Sequence, residues 1–243
     1  MMLAMGRIVV AARRGSQVKH QTLWHSDSSA VPARMRERGW QLKEYKRMQL
    51  FLPPSEATMR PTEIFLQLQL ASQIEIDLRE FLITAKHAFK IHLELANSVE
   101  FAKFLSASST GGKREYESTA NALKALCWPE CYQLLEQYRR NLPTQRKRDY
   151  RIVVRGAFVH GAGYRPRTEV FREDDWSASQ ETTAEQMAIT VRIRAMETYR
   201  NLGKKKKEVK HKSEFACSFL SRVAYADGVD WRIAGVSEYL DPA

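Results

Sequence analysis

The sequence is poor in cysteine, and it lacks the long apolar runs of membrane-spanning helices. Only Cys127, Cys131 and Cys217 occur in 243 residues, which is too few and too odd a number for a disulfide framework and indicates a reducing compartment. A transmembrane helix needs about 20 consecutive apolar residues, and no stretch approaches that length. We therefore do not expect an integral membrane protein. No internal repeat or heptad pattern is evident either.

Acidic residues are missing from the first 26 positions, where the first carboxylate is that of Asp27. The same stretch carries Arg7, Arg13, Arg14 and Lys19 together with serine and alanine. An arginine-containing, acid-free amino terminus of this kind resembles a mitochondrial presequence. A disordered basic tail is the alternative reading.

The acids that do occur are outnumbered, because the formal net charge is +11 and the sequence pI is about 9.7. Such an excess of positive charge indicates an anionic partner, either nucleic acid, an anionic membrane surface, or both. Charge alone does not separate these partners.

Residues 27–60 continue the basic character and contain Pro32, Pro53 and Pro54. Their pattern is too irregular for a helix or strand prediction, and too polar to fold alone. We expect a solvated cationic arm that lies on another surface. Its basic residues are Arg34, Arg36, Arg38, Lys43, Lys46 and Arg47. The predicted division is a basic extension over residues 1–60 and one folded domain over residues 61–243.

Helical periodicity begins at Pro61, a residue tolerated in the first turn of a helix. Apolar residues recur at spacings of three and four to about Leu105, which predicts one amphipathic helix or two in series. Ser106–Gly112 is a flexible break. A second helical segment follows, and Pro129 is expected to start a new helix rather than kink one.

Strand patterns occupy the rest of the chain. Tyr150 to Phe158 alternate as a first strand, His160–Gly163 is the expected hairpin turn, and Thr168–Phe171 a possible edge strand. Gln186–Val236 then reads as a meander of three strands with an apolar inner face and a cationic outer face. Helices followed by a strongly curved antiparallel sheet predict an α+β fold, with the helices closing one side of a cone or half-barrel.

Two basic clusters flank these strands. We expect them at opposite ends of the sheet, where each is either a solvated turn, a set of phosphate contacts without sequence information, or a lipid-attracting patch. The first contains Arg139, Arg140, Arg146, Lys147 and Arg148, and the second contains Lys204, Lys205, Lys206, Lys207, Lys210 and Lys212.

Candidates for metal binding or catalysis are weak. Cys127 and Cys131 are four residues apart, so they could share one face of a helix. Zinc needs about four ligands, and no second pair of cysteines or histidines has ligand spacing. We therefore expect the cysteines to be small buried hydrophobic side chains. His160 precedes Gly161 and Gly163, yet Tyr164–Arg167 does not open the helix that a phosphate loop requires. We predict no metal, no cofactor, no catalytic residue and no small-molecule substrate.

The meander also carries a resemblance to a known family. Its parts are Ala188–Ile193 (AITVRI), Glu197–Tyr199 (ETY), a basic turn, Phe215–Phe219 (FACSF) and Asp230–Gly235 (DWRIAG), preceded by the helix Ala122–Leu126 (ALKAL). This order resembles the carboxy-terminal domain shared by the peripheral tether of the inner-membrane presequence translocase and its relative on the mitochondrial large ribosomal subunit at the tunnel exit. The resemblance covers roughly residues 81–240.

The resemblance implies a cone-shaped α+β fold like that of nuclear transport factor two, and a non-enzymatic role at the matrix face of the inner membrane. The ribosomal branch binds ribosomal RNA and neighbouring ribosomal proteins, and it makes peripheral contact with the inner membrane or its insertase. This chain lacks the long charged amino-terminal helices of the translocase tether, which favours the ribosomal branch. A non-catalytic accessory subunit of another inner-membrane complex, either the import motor or a respiratory assembly, is the alternative.

Overall fold

A computed structural model describes residues 9–10, 31–70, 76–107, 114–141, 148–165, 168–169, 182–183, 186–201, 208–224 and 228–238. Helices come first along the chain and the long strands follow, so the predicted α+β class is confirmed. The helices pack on the inner face of an open antiparallel sheet.

The amphipathic pattern after Pro61 is divided among several helices. Asp77 caps the longest one, because its side chain accepts a hydrogen bond from the Arg79 amide at 2.8 Å, and Ser98 caps the next through the Phe101 amide at 3.1 Å. The described helices are α1 (Val31–Glu37), α2 (Gly39–Arg47), α3 (Pro61–Leu70), α4 (Leu78–Ala96), α5 (Val99–Ser106), α6 (Glu117–Leu126) and α7 (Pro129–Asn141). As predicted, Pro129 starts a new helix.

The sheet is built from four long strands and one two-residue strand. Its order is β1-β7-β6-β5-β2 with antiparallel neighbours, and β3 pairs with β4 in a separate two-stranded sheet. The bounds are β1 (Val9–Val10), β2 (Arg148–Arg165), β3 (Thr168–Glu169), β4 (Thr182–Thr183), β5 (Gln186–Asn201), β6 (Glu208–Ala224) and β7 (Gly228–Glu238).

The core lies between α4 and the inner face of the meander. Phe81 of α4 packs edge-on against Trp231 and Phe219, with ring centroids 4.9 Å and 5.5 Å apart, and Phe89 lies 5.1 Å from Phe215. All five rings are buried. The alternation of apolar residues along β5 and β6 places one side of each strand in this core, as the sequence predicts.

The predicted hairpin turn at His160–Gly163 is wrong, because β2 runs through these residues to Arg165. The strand accommodates them with two register shifts against β5, one between Val154 and Gly156 and one between Val159 and Gly161. Each shift inserts one extra residue and bends the strand. Gly161 and Gly163 therefore lie in a bulged strand and not in a turn.

Two other expectations differ from the structure. Of the possible edge strand Thr168–Phe171, Thr168 and Glu169 pair with Thr183 and Thr182 in the separate two-stranded sheet, and the other two residues lie outside the described residues. Residues 31–47, expected to be irregular, form α1 and α2. Burial explains the second difference: Tyr45 joins the hydrophobic core, and so does Phe51 beyond α2. Val159 bridges to Phe51 at the β2 edge.

Within the described parts of the chain, every helix is too short or too polar to cross a bilayer.

Candidate nucleic-acid interface

A groove crosses the outer face of the sheet, on the side away from the helices. It encloses about 350 Å³ and is lined by side chains from three adjacent strands. These residues, here called the cationic groove, are Arg151, Val153 and Arg155 of β2, Met196, Thr198 and Arg200 of β5, and Glu208 and Lys210 of β6. Four cations and one carboxylate therefore line it.

Strand alternation places these side chains together. Thr198 lies opposite Arg151 on one side and opposite Lys210 on the other, so one row of the ladder contributes two cations. Arg155 is the residue that the first bulge of β2 leaves without a register partner. A side chain inserted by a bulge in this way adds a charge to the outer face.

Two apolar side chains lie among the charged residues of the groove. Val153 is 51% exposed, which is unusual for a strand valine, and Met196 lies directly opposite it. Glu208 lies 3.4 Å from Lys210 and both side chains are largely exposed. Solvent screens such a pair, so it offsets little of the positive charge.

The other half of the outer face carries arginines that are neutralised. Arg192 donates to Glu214 at 2.7 Å and lies 3.2 Å from Glu56, and Arg194 contacts the same two carboxylates at 2.7 and 3.0 Å. Burial would raise the pKa of Glu214, but the hydrogen bonds from both arginines outweigh it and hold that pKa below its ordinary value.

Backbone contacts bring Glu56 to this half. The Val159 amide of β2 donates a hydrogen bond to the Leu50 carbonyl at 2.8 Å, and the Leu52 amide donates to the Val159 carbonyl at 3.4 Å. These bonds fix the segment that contains Glu56 beside the sheet. Gly156 leaves room for the Phe158 ring, because a Cβ at that position would lie 3.0 Å from the ring. Arg194 then stacks over Phe158 at 5.3 Å.

Arg148 of the first predicted basic cluster lies toward the same end of the sheet as Lys210 and Lys212 of the second cluster, not at the opposite end. Arg148, the first residue of β2, pairs with Asn201 at the end of β5, and β6 begins at Glu208 beside them. Lys210 lines the cationic groove, and the exposed Lys212 lies on the same face opposite Met196. Arg146, Lys147 and Lys204–Lys207 lie outside the described residues.

The remaining predicted cations lie elsewhere. Arg139 of α7 is partly buried and donates to Asn97, and burial lowers its pKa. Arg140 pairs with Glu136 at 2.6 Å. Arg38 donates to Gln69 of α3 at 3.0 Å, and Arg47 pairs with Glu44. Arg34 is half-buried on α1, Arg36, Lys43 and Lys46 are exposed on α1 and α2, and Arg13 and Arg14 fall outside the described residues.

Sequence reasoning missed Arg151, Arg155 and Arg200. They belong to no contiguous basic run, because these arginines alternate with inward-facing residues on two strands. The signal that identifies them is the outer-face parity of β2 and β5, once the pairing of the two strands is known.

A polar network lies on the inner face at the same end of the sheet. Glu197, only 6% exposed, accepts hydrogen bonds from the Tyr150 hydroxyl at 2.7 Å, the Tyr199 hydroxyl at 2.9 Å, and Ser213. Burial raises the pKa of both tyrosines, and the bonds to Glu197 raise them further. His211 Nδ1 lies 2.8 Å from the Ser213 oxygen and 3.9 Å from Glu197.

The cysteines lie deeper in the core. All three are free and buried, as predicted for small hydrophobic side chains. Cys127 Sγ lies 3.3 Å from Nδ1 of the buried His92. Burial and the charge of Arg139 lower the pKa of His92 to about 4, so the imidazole is neutral at neutral pH.

No protein-family model and no curated protein matches the chain. Among solved structures, the chain is similar to the crystal structure of the intermembrane space region of chloroplast protein ARC6, at 9% identity and a TM-score of 0.34. That match covers 69% of this chain and 99% of the other. At this TM-score the likeness carries no argument about function.

Proposed function

We propose that the chain is a non-catalytic structural component of the mitochondrial large ribosomal subunit near the tunnel exit. In this role it binds ribosomal RNA and helps to hold the ribosome at the inner membrane. The cationic groove is the observation that carries the proposal, together with the sequence resemblance to the ribosomal branch of the tether family.

The groove suits a phosphate backbone. Arg151, Arg155, Arg200 and Lys210 project from three strands that lie roughly 4.8 Å apart, so several phosphates in succession are within reach of a cation. The exposed Lys212, opposite Met196 on the same face, adds a further cation beside the groove. Such contacts fix the position of a protein on RNA without reading its sequence.

The groove also predicts what kind of RNA contact is made. Its apolar residues are Val153 and Met196, and no aromatic side chain is among those that line it. The described lining residues therefore offer no ring for the base stacking that supports many single-strand binders. We expect binding that tolerates any sequence and weakens steeply with salt.

The core supports a structural role. Trp231, Phe215 and Phe219 fill the inner face against α4, which is where a cone-shaped fold with a catalytic pocket would keep open space. The region most suited to a ligand is thus the outer face of the sheet.

A non-catalytic accessory subunit of another inner-membrane complex is a second candidate. The observation that favours it is an apolar pair one turn apart on α7, where Leu134 is 66% and Tyr138 is 62% exposed. Exposed large apolar side chains at helical spacing fit a protein partner. The same pair also suits a neighbouring ribosomal protein.

Gradient fractionation tests the proposal. Detergent-lysed mitochondria are separated on sucrose with and without RNase, and the chain is detected by antibody. We expect co-migration with the large ribosomal subunit that RNase abolishes. Migration with a membrane complex, indifferent to RNase, would overturn the ribosomal assignment and support the accessory subunit.

A further inference from the structure

Three side chains able to bind a metal ion meet on the inner face of the sheet. Potential ligand atoms of Glu197, His211 and Glu238 lie within 4.8 Å of one another, and no other set of three does so in the part of the chain that the structure describes. None of the three lines the cationic groove.

Strand pairing brings them together from β5, β6 and β7. Glu197 lies directly opposite His211, and Glu238 lies opposite Phe215, four residues further along β6 on the same face as His211. Each ligand is thus carried by a paired strand, and strands hold ligand positions more firmly than loops do.

The charges at this point are unbalanced. Glu197 is buried, but the groups that donate to it are the hydroxyls of Tyr150, Tyr199 and Ser213. Hydroxyls satisfy the oxygen atoms of a carboxylate without neutralising its charge. Glu238 adds a second carboxylate within ligand distance, and two carboxylates sharing a site repel each other. A bound cation removes that repulsion.

Basic groups nearby do not fill this role. Arg139 of α7 contributes a positive charge that is felt at Tyr150 and Tyr199 and so offsets part of the negative charge, but its hydrogen bond goes to Asn97 and it occupies no ligand position. His211 Nδ1 is 3.9 Å from Glu197 and contacts Ser213 more closely. Ser213 donates its hydroxyl proton to Glu197, so Nδ1–H of His211 donates to Ser213, and Nε2 is the nitrogen left for a metal ion beside the two carboxylates.

Imidazole nitrogen and carboxylate oxygen together are a ligand set for Zn²⁺. Metal-binding carboxylates and histidines are ordinarily held by outer hydrogen bonds, and both are present: three hydroxyls hold Glu197, and Ser213 contacts the His211 ring. His211 and Glu238 are exposed, so an ion bound there remains open to solvent.

We propose that Glu197, His211 and Glu238 form a Zn²⁺ site with three protein ligands and a fourth position open to water. The site is separate from the RNA contact proposed for the outer face. Bound zinc tethers the ends of β5, β6 and β7 to one another.

Calorimetric titration of the EDTA-treated full chain with zinc chloride tests the site. We expect one ion per chain, and a loss of affinity of about tenfold or more in both His211→Ala and Glu238→Gln, since even residues outside the ligand shell change affinity by about 10–100-fold. Both side chains are exposed, so the variants are expected to fold. The matched controls are His87→Ala and Glu115→Gln, which remove an exposed histidine and an exposed glutamate that belong to neither the zinc site nor the cationic groove.

Three outcomes would overturn the proposal. They are no binding of zinc by the full chain, wild-type affinity in both site variants, and loss of binding in Cys127→Ser with the site variants unaffected. RNA affinity serves as a separate readout, because His211→Ala leaves the cationic groove intact. Failure of zinc binding thus leaves the RNA proposal standing, and failure of RNA binding leaves the zinc site standing.

Discussion

The outer face of the sheet holds arginines in two different settings. In one half, Arg192 and Arg194 share the carboxylates of Glu214 and Glu56. In the other half, the cationic groove has four basic side chains and one glutamate. The same sheet face and the same residue type occur in both halves, so the difference lies in the ratio of carboxylates to cations.

This contrast teaches that net charge is a poor guide to a binding surface. Arg192 is 14% exposed at its side chain and tied to two acids, which makes it a structural link between the sheet and the segment around Glu56. The cations of the groove are exposed to solvent and lie beside Val153 and Met196. Only the second setting offers an anion both charge and access.

The largest effect we expect is on RNA binding by two matched double variants. Arg155→Ala with Arg200→Ala removes two groove cations, and Arg192→Ala with Arg194→Ala removes two paired ones from the same face. A charge-assisted contact contributes about 1.5 kcal/mol, so the groove variant should bind single-stranded RNA on the order of 100-fold more weakly. Fluorescence anisotropy at several salt concentrations measures this.

The salt dependence gives a second readout of the same pair. Each lost phosphate contact lowers the slope of log affinity against log salt by about 0.7 for a single strand. The slope should therefore fall by roughly 1.4 in the variant with Arg155→Ala and Arg200→Ala. The variant with Arg192→Ala and Arg194→Ala should keep the wild-type slope. Equal losses in the two variants would show that only net charge matters and would remove the distinction between the two halves.

The next effect concerns stability. Glu214→Gln removes one of the two carboxylates that pair with the half-buried Arg192. Loss of such a charged hydrogen bond costs about 1–3 kcal/mol of unfolding free energy. Glu208→Gln is the control, since its partner Lys210 is 66% exposed and a surface pair contributes about 0–1 kcal/mol. Urea unfolding compares them. A loss as large in the control as in Glu214→Gln would contradict the proposed difference.

The stability difference should also depend on pH. The pKa of Glu214 is lowered in the folded protein, so its contribution is fully present above the unfolded pKa of about 4.3 and is lost as the pH falls through the lower folded value. Wild type and Glu214→Gln should therefore differ in unfolding free energy at pH 7 and converge in strong acid. A gap that stays constant down to acid pH would assign the loss to packing.

Much of the fold follows from local pattern. The alternation from Met187 to Ile193, and from Phe215 to Ser221, predicts which side of β5 and β6 is buried, because the side-chain period of a strand is two. Pro129 predicts the start of α7, since proline suits the first turn of a helix. These signals are contained within a few residues.

What could not be predicted depends on long-range pairing. His160–Gly163 resembles a turn, but pairing with β5 keeps it extended and replaces the turn by bulges. Residues 31–51 are too polar to indicate a core element, yet Tyr45 and Phe51 find apolar partners far away in sequence. Arg155 joins the groove only because a bulge inserts it, and Glu197 meets His211 only through the β5–β6 register.

The smallest expected effect isolates the one carboxylate of the cationic groove. Glu208→Gln removes a charge that competes with RNA phosphate for Lys210 at 3.4 Å. An exposed pair is worth about 0.2–1 kcal/mol, so RNA affinity should rise by no more than about fivefold, with a slightly steeper salt slope. Glu136→Gln, which frees Arg140 on α7 outside the groove, is the matched control and should leave affinity unchanged. An equal rise in both variants would mean that RNA responds to the charge of the whole molecule, whereas a rise in Glu208→Gln alone would locate the contact at this end of the sheet.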